Sequence, residues 1–183
     1  MVKLAEDNRL VKDFLDGDER AFKRIVDKYS RRVYWHAFGM LNDHFDADDV
    51  TQTVWLVVYK KLNKFNFESS LYTWIYQITK TRSLNVLRKR KLKILFSLGS
   101  EHLREVESDE NTISNIESSE KLNKVKDLLK ILPPKQREVF ILKTFEELTY
   151  EEISNITGKS VGGLKANYFH ALKKIKEKFH DEE

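Results

Sequence analysis

A chain of 183 residues, 40% hydrophobic and 34% charged with two prolines and six glycines, is charge-rich and helix-prone, has room for two small domains, and is neither disordered nor fibrous. The lack of cysteine removes disulfides, thiolate metal sites and cysteine nucleophiles, and leaves the cytoplasm as the expected compartment. A net charge of +4 defines no partner by itself, but the charge is unevenly spread: Lys80 to Lys93 carries seven basic residues and no acid, Glu101 to Glu120 seven acids against Arg104, and Lys159 to Lys178 six lysines against Glu177.

Met1 to Leu10 is interrupted by Lys3, Glu6, Asp7 and Arg9 and lacks the apolar core of a signal peptide. The apolar run Val54 to Tyr59 is far short of the ~20 residues that cross a bilayer, so no membrane insertion is expected. A short helix carries Leu10, Val11, Phe14 and Leu15, and Asp18 is placed to cap a long one in which Phe22, Ile25, Val26, Tyr29, Val33, Ala37 and Met40 recur every three or four residues. Asn42 to Phe45 is read as a turn, and Asp46 as the start of a helix with the stripe Val50, Val54, Val57, Val58 and Leu62. After a break at Asn63 to Ser70, Ser69 or Ser70 caps a fourth helix that buries Leu71, Trp74, Ile75, Ile78 and Leu87.

From Ser97 to Ser119 the apolar residues lose their period while Glu, Asp, Ser and Asn accumulate, the composition of a linker. Helical spacing returns at Leu122, Val125, Leu128, Leu129 and Leu132 and stops at Pro133-Pro134; Pro134 opens the next helix, with Val139, Phe140 and Leu142 inside. Thr149-Tyr150-Glu151-Glu152 fits a capping box, Gly158 a C-terminal cap, and Ser160 the N-cap of a last helix to about Phe179. The expected fold is all-α: an N-terminal helical domain (1–96), a flexible acidic linker (97–119) and a C-terminal helix-turn-helix domain (120–183).

Two helices joined by the Gly158-Lys159 turn, the second rich in lysine, have the geometry that lays a helix in a DNA major groove; an ordinary helical hairpin with a solvated basic face is the plainer alternative. Lys159, Lys165, Lys173 and Lys174 can offset phosphate charge, and Gly163 to Asn167 can approach base edges. The segment Phe65 to Tyr76 sets aromatics beside a polar loop, just before the basic stretch, the pairing that single-stranded DNA binding requires. Trp74 lies on the apolar stripe and is assigned to the core, whereas Phe67 and Tyr72 are expected to be exposed. Asp46, Asp48 and Asp49 crowd one helix start, where capping accounts for one or two of them; with Gln52 they make a candidate patch for a basic protein partner.

The order Asp48-Asp49-Val50-Thr51-Gln52, Phe65, Ser69 to Ile78, a basic helix end, an acidic linker, Leu132-Pro133 with Arg137, and Leu148 to Ile153 followed by Val161-Gly162 resembles the extracytoplasmic-function (ECF) group of bacterial sigma factors, from about Phe14 to Phe179. The resemblance implies a subunit that binds core RNA polymerase and directs it to promoters, with Asp46, Asp48, Asp49 and Gln52 docking on the largest subunit's clamp helices. It implies that Phe65, Phe67, Ser69, Tyr72, Thr81, Arg82, Asn85 and Arg88 melt and read the minus-ten element, with a flipped base held by the Phe65 to Ser70 loop. It further implies that Ser160, Gly163, Lys165, Ala166, Asn167, Phe169 and His170 serve the minus-thirty-five element, that no cofactor is needed, and that an anti-sigma factor regulates the chain. Departures from the family pattern fall at Gly163, Ala166 and Asn167, where a hydroxyl and a cation are lost, and at Thr81, where many members carry Asn. The competing assignment is a helix-turn-helix regulator acting without polymerase, which leaves the acidic patch and aromatic loop without a role. An enzyme is disfavoured, since the histidines at 36, 44, 102, 170 and 180 form no ligand cluster and the glycines no phosphate loop.

Overall fold

The computed structural model describes the backbone of residues 2–97 and 116–180 and the side chains of residues 5–95 and 123–179. Among the described residues every regular element is a helix: α1 (Val2–Leu15), α2 (Glu19–Leu41), α3 (His44–Lys61) with a 3₁₀ turn at Leu62–Lys64, α4 (Leu71–Ser97), α5 (Ile116–Lys130), α6 (Pro134–Thr144), α7 (Tyr150–Thr157) and α8 (Val161–His180).

Local chemistry sets the boundaries. The Asp18 carboxylate accepts from the Arg20 amide and starts α2; Asn42, left-handed at φ 53°, ends it. Asp43 accepts from the Asp46 amide, so α3 begins at His44, ahead of the expected start at Asp46. With its backbone extended at φ −146° and ψ 129°, Asp43 directs its carboxylate at the Asp46 amide, which places Asp46 in the first turn. Ser70 caps α4 by accepting from the Thr73 amide at 3.0 Å. α4 continues past the expected end near Lys93, and α5 starts at Ile116, inside the expected linker; the rest of that linker, 98–115, lies outside the described residues.

The stripes predicted from spacing form the core. Ile25, Tyr29, Val33 and Ala37 of α2 meet Val50, Val54 and Val58 of α3 and Leu71 and Ile75 of α4, all buried, while Val139, Leu142, Ile153, Leu164 and Ala171 close the second unit. A polar bond ties α1 down: buried Asp7 accepts from Tyr29 Oη at 2.6 Å and Lys28 Nζ at 2.7 Å. Burial, then the bond to Asp7, raises the Tyr29 phenol, which stays neutral as the donor.

The two units also pack on each other. Gly39 of α2 lies against Ile141 of α6, where a Cβ would collide with the Ile141 side chain. Trp35 and Phe145 stack at 4.4 Å between centroids, and Arg137 donates to the carbonyls of Leu132 and Gly39.

Candidate polymerase and promoter interface

The acidic start of α3 divides into spent and available groups. Asp46, proposed from sequence for docking, is bridged by Arg90 of α4, which also lies 3.9 Å from Asp43. Asp48 is 3.4 Å from His44 Nε2, and the His44 ring accepts or donates at Nδ1 with Tyr34 Oη at 2.9 Å. Asp49 and Gln52 are exposed on the outer face. Asp46→Asn is therefore expected to cost up to about 1 kcal/mol, discounted because both partners of the Arg90 bridge are partly exposed, or about 2–4 °C in thermal midpoint. Asp49→Asn should leave the midpoint unchanged, and thermal denaturation of the two variants checks the difference. A hollow of about 370 Å³ between α3 and α4 brings Asp49 beside Arg82, Asn85 and Arg88, so the acidic and basic groups adjoin.

The aromatic loop is anchored by Phe65, which is buried against Trp74 and Phe67 at 5.7 and 4.9 Å between centroids. Trp74 is half-buried against the core, as the stripe predicts. Phe67 is 37% exposed and adopts φ 61°, a backbone conformation uncommon for a non-glycine residue. Ser69 and Thr81 are exposed, the latter with its hydroxyl donating to the Gln77 carbonyl at 2.8 Å. Arg82 and Asn85 are half-buried, and exposed Arg88 donates to Asn85 Oδ1 at 3.3 Å.

Tyr72 corrects an expectation. It is 6% exposed, not presented to solvent, because it sits in the seam between the two units. Its ring stacks on Tyr29 at 5.4 Å, the Arg32 guanidinium lies over it at 5.1 Å, and its hydroxyl donates to Glu146. Phe65 is likewise buried, so of the two aromatic loop residues proposed for the minus-ten element Phe67 alone is presented.

Sequence reasoning missed two carboxylates of the seam. Burial drives the Glu146 carboxyl up to about 8, against the lowering effects of Tyr72 and Arg32. Glu138 of α6 accepts from Tyr76 Oη at 2.7 Å, is bridged by Lys159 and lies 3.9 Å from Lys80. Burial opposes its charge, but these donors outweigh it and hold Glu138 below its ordinary range. Their sequence signal was weak, since Glu138 in α6 and Glu146 in the bend after it flank an apolar run as solvated residues commonly do.

The second unit has the helix-turn-helix geometry. The Thr149 to Glu152 capping box forms, Gly158 ends α7 at φ 71°, and Ser160 accepts from the Gly163 amide at 3.2 Å. With Leu164 and Ala171 facing inward, the spacing leaves Gly163, Lys165, Ala166, Phe169 and His170 exposed on the outer face of α8. Asn167 is half-buried and donates to the Gly163 carbonyl at 2.7 Å, so its amide is turned toward its own helix. Lys159 is drawn into the seam by Glu138.

Among the described residues no group of acidic or histidine side chains is arranged to hold a metal, and no helix is long and apolar enough to cross a membrane. A helical bundle with an exposed aromatic loop, followed by a basic helix-turn-helix, defines a DNA-binding protein. The Sigma-70 region 2 family matches residues 25–93 and the Sigma-70, region 4 family residues 122–175. The chain is 30% identical to the ECF RNA polymerase sigma-E factor of Haemophilus influenzae, with 97% of each chain covered. It is 28% identical to the RNA polymerase sigma-H factor of Pseudomonas aeruginosa, over 96% of this chain and 94% of that one. Among solved structures, CnrH in complex with the cytosolic domain of CnrY has the same fold, with a TM-score of 0.72 at 18% identity, covering 97% of this chain and 99% of that one. The sigma factor RpoE in complex with the anti-sigma factor NepR from Bartonella quintana matches with a TM-score of 0.65 at 23% identity over 85% and 94%. The chain belongs to the ECF sigma factors, and as an alternative sigma factor it binds core RNA polymerase and directs transcription initiation at promoters.

Proposed function

We propose that this sigma factor divides its work among three surfaces: Asp48, Asp49 and Gln52 of α3 for core polymerase, the Phe65 to Arg88 segment for the melted minus-ten strand, and the outer face of α8 for the duplex minus-thirty-five element. The domain limits that go with this reading are 1–96 and 120–183 with a linker at 97–119, into which α5 extends from Ile116. Asp46 then acts through its bridge to Arg90, holding α3 and α4 together beneath the docking surface. Ser160 shapes the start of the recognition helix, and Lys165, Ala166, Phe169 and His170 face the groove. The chain supplies specificity while catalysis stays with the polymerase, and it works in the cytoplasm, where polymerase and chromosome meet. An anti-sigma factor is the regulatory partner, on the precedent of the RpoE complex with NepR.

The observation that carries the reading is the exposure of Asp49, Gln52, Phe67 and Lys165 on separate elements of one family member. Asp49→Lys combined with Gln52→Ala is expected to weaken association with core polymerase and leave the fold intact, since exposed charge changes seldom cost more than ~0.5 kcal/mol. Unchanged co-purification with core would remove the docking assignment.

A further inference from the structure

Where α2, α4 and α6 meet, they leave a hollow of about 300 Å³, at the small end of the range that ligand pockets occupy, about 300–1,000 Å³. Met40, Leu84, Leu87 and Ile141 give it apolar walls. The rest of its lining is polar, and much of that is without a partner.

Pro134 and Lys135, at the start of α6, line the hollow, and nothing caps the helix there. Pro133 at the N-cap has no side chain that accepts a hydrogen bond, and Pro134 has no N–H. Arg137 supplies the first amide to bond back, to the Pro133 carbonyl at 2.9 Å, which leaves the Lys135 and Gln136 amides open at the positive end of the helix dipole. The Arg137 guanidinium is pinned by the carbonyls of Leu132 and Gly39, while its Nε is buried with no partner. Burial alone lowers this guanidinium, with no carboxylate beside it to act the other way. Glu138, the one carboxylate in the lining, is already engaged by Lys159, Tyr76 and Lys80. With Lys80, Lys135 and Arg137 against Glu138, the hollow is electropositive and suits a single negative charge; a dianion would meet more repulsion from Glu138.

His36 of α2 lines the same hollow, is 3% exposed, and has no hydrogen-bond partner at Nε2. Burial lowers it from 6.5 to about 4, so at neutral pH it is an uncharged imidazole whose Nε2 donates or accepts according to its tautomer. A buried polar atom without a partner is costly, and a ligand atom that bonds to it recovers that cost. His36 stands three residues before Gly39, whose carbonyl Arg137 holds, so about 4.5 Å of helix rise separates the levels of the two unpartnered nitrogens.

We propose that this hollow is a binding site for a small aromatic hydroxy acid. The carboxylate meets the open amides of α6, Lys135 and Arg137 Nε, the ring lies against Met40, Leu84, Leu87 and Ile141, and the hydroxyl reaches His36 Nε2. One ring with its two polar groups at opposite ends matches the separation of His36 from Arg137. Met40 is also a favourable neighbour, because a thioether packs well against an aromatic ring. Both unpartnered nitrogens lie just beneath the lining, so seating the ligand takes a small shift of the side chains around them. Binding involves neither polymerase nor DNA, and its failure would leave the promoter assignments untouched.

Calorimetric titration of the full-length chain, without polymerase, compares para-hydroxybenzoate with benzoate and with para-hydroxybenzyl alcohol. Para-hydroxybenzoate is expected to bind saturably, and the other two about tenfold more weakly, benzoate for want of the hydroxyl and the alcohol for want of the charge. Lys135→Glu, an exposed change that sets a like charge at the start of α6, should weaken para-hydroxybenzoate about tenfold and leave the alcohol unchanged. His36→Phe keeps a ring and removes Nε2, so para-hydroxybenzoate should fall to the affinity of benzoate. Lys23→Glu, exposed on α2 away from the hollow, should change neither. Absence of saturable binding would overturn the proposal, as would equal affinity for all three probes or an unchanged affinity in Lys135→Glu. A preference for the hydroxyl that survives in His36→Phe would overturn the assignment of that nitrogen. Should His36→Phe fail to fold, the comparison of probes in wild type and in Lys135→Glu still decides.

Discussion

Phe67→Ala is expected to impair opening of duplex promoters by about 5- to 150-fold, the equivalent of the 1–3 kcal/mol a base gains by stacking on an aromatic side chain. The structure explains why this residue should carry so large an effect. The residue is 37% exposed in a loop whose two ends are fixed by buried Phe65 and by the Ser70 cap of α4. A rigidly presented ring loses little freedom when a base stacks on it, so most of the contact remains as net binding. On templates already mismatched around the minus-ten element the defect should be smaller, because unstacking no longer has to be offset by the protein. Transcription on matched and pre-melted templates makes the comparison. An equal defect on both would assign Phe67 to another step. Tyr72 cannot serve as the paired probe through alanine, since emptying a buried aromatic site costs about 3–5 kcal/mol of stability; Tyr72→Phe, which removes the Glu146 bond and keeps the ring, is the informative change.

Lys165→Ala is expected to reduce promoter occupancy by about 5- to 150-fold if the ammonium contacts a base edge, or uniformly across sequences with a salt slope smaller by about 1 if it contacts phosphate. Lys165 is exposed on the first turns of α8, and its ammonium lies 5.8 Å from the Tyr150 ring centroid, which holds the cation near the helix-turn-helix corner. Association with core polymerase should survive, because Lys165 and the Asp49 and Gln52 surface lie on different units. Occupancy measured against salt on matched and altered minus-thirty-five sequences distinguishes the two outcomes. Loss of core binding would break the assignment of separate readers.

The legible part of this protein was the part written in local chemistry. Period sufficed for the buried stripes of α2, α3 and α4, where Ile25, Val33, Val54 and Ile75 lie inside as their spacing requires, and Ser70, Thr149, Gly158 and Ser160 cap where hydroxyls and a glycine were expected. The start of α3 was misplaced by two residues because two aspartates compete for one cap, and the choice of Asp43 depends on the left-handed turn at Asn42 before it. The outer face of α8 was also legible, since the inward positions Leu164 and Ala171 dictate which neighbours point out.

By itself the sequence determined the all-helical architecture, the family, and the uneven split of charge into acidic and basic segments. These follow from interactions within a few residues, or from the order of short motifs along the chain. Only the tertiary structure decided which of those groups are free. It withdrew Asp46 into a bridge with Arg90, turned Asn167 back on its helix, and buried Tyr72 under Glu146. Each depends on a partner's position in space: Glu146 lies 74 residues from Tyr72 along the chain, and no periodicity in either segment encodes the meeting. Gly39 shows the same limit, because a glycine inside a helix registers only as a small propensity cost until Ile141 is seen filling the space where a side chain would stand.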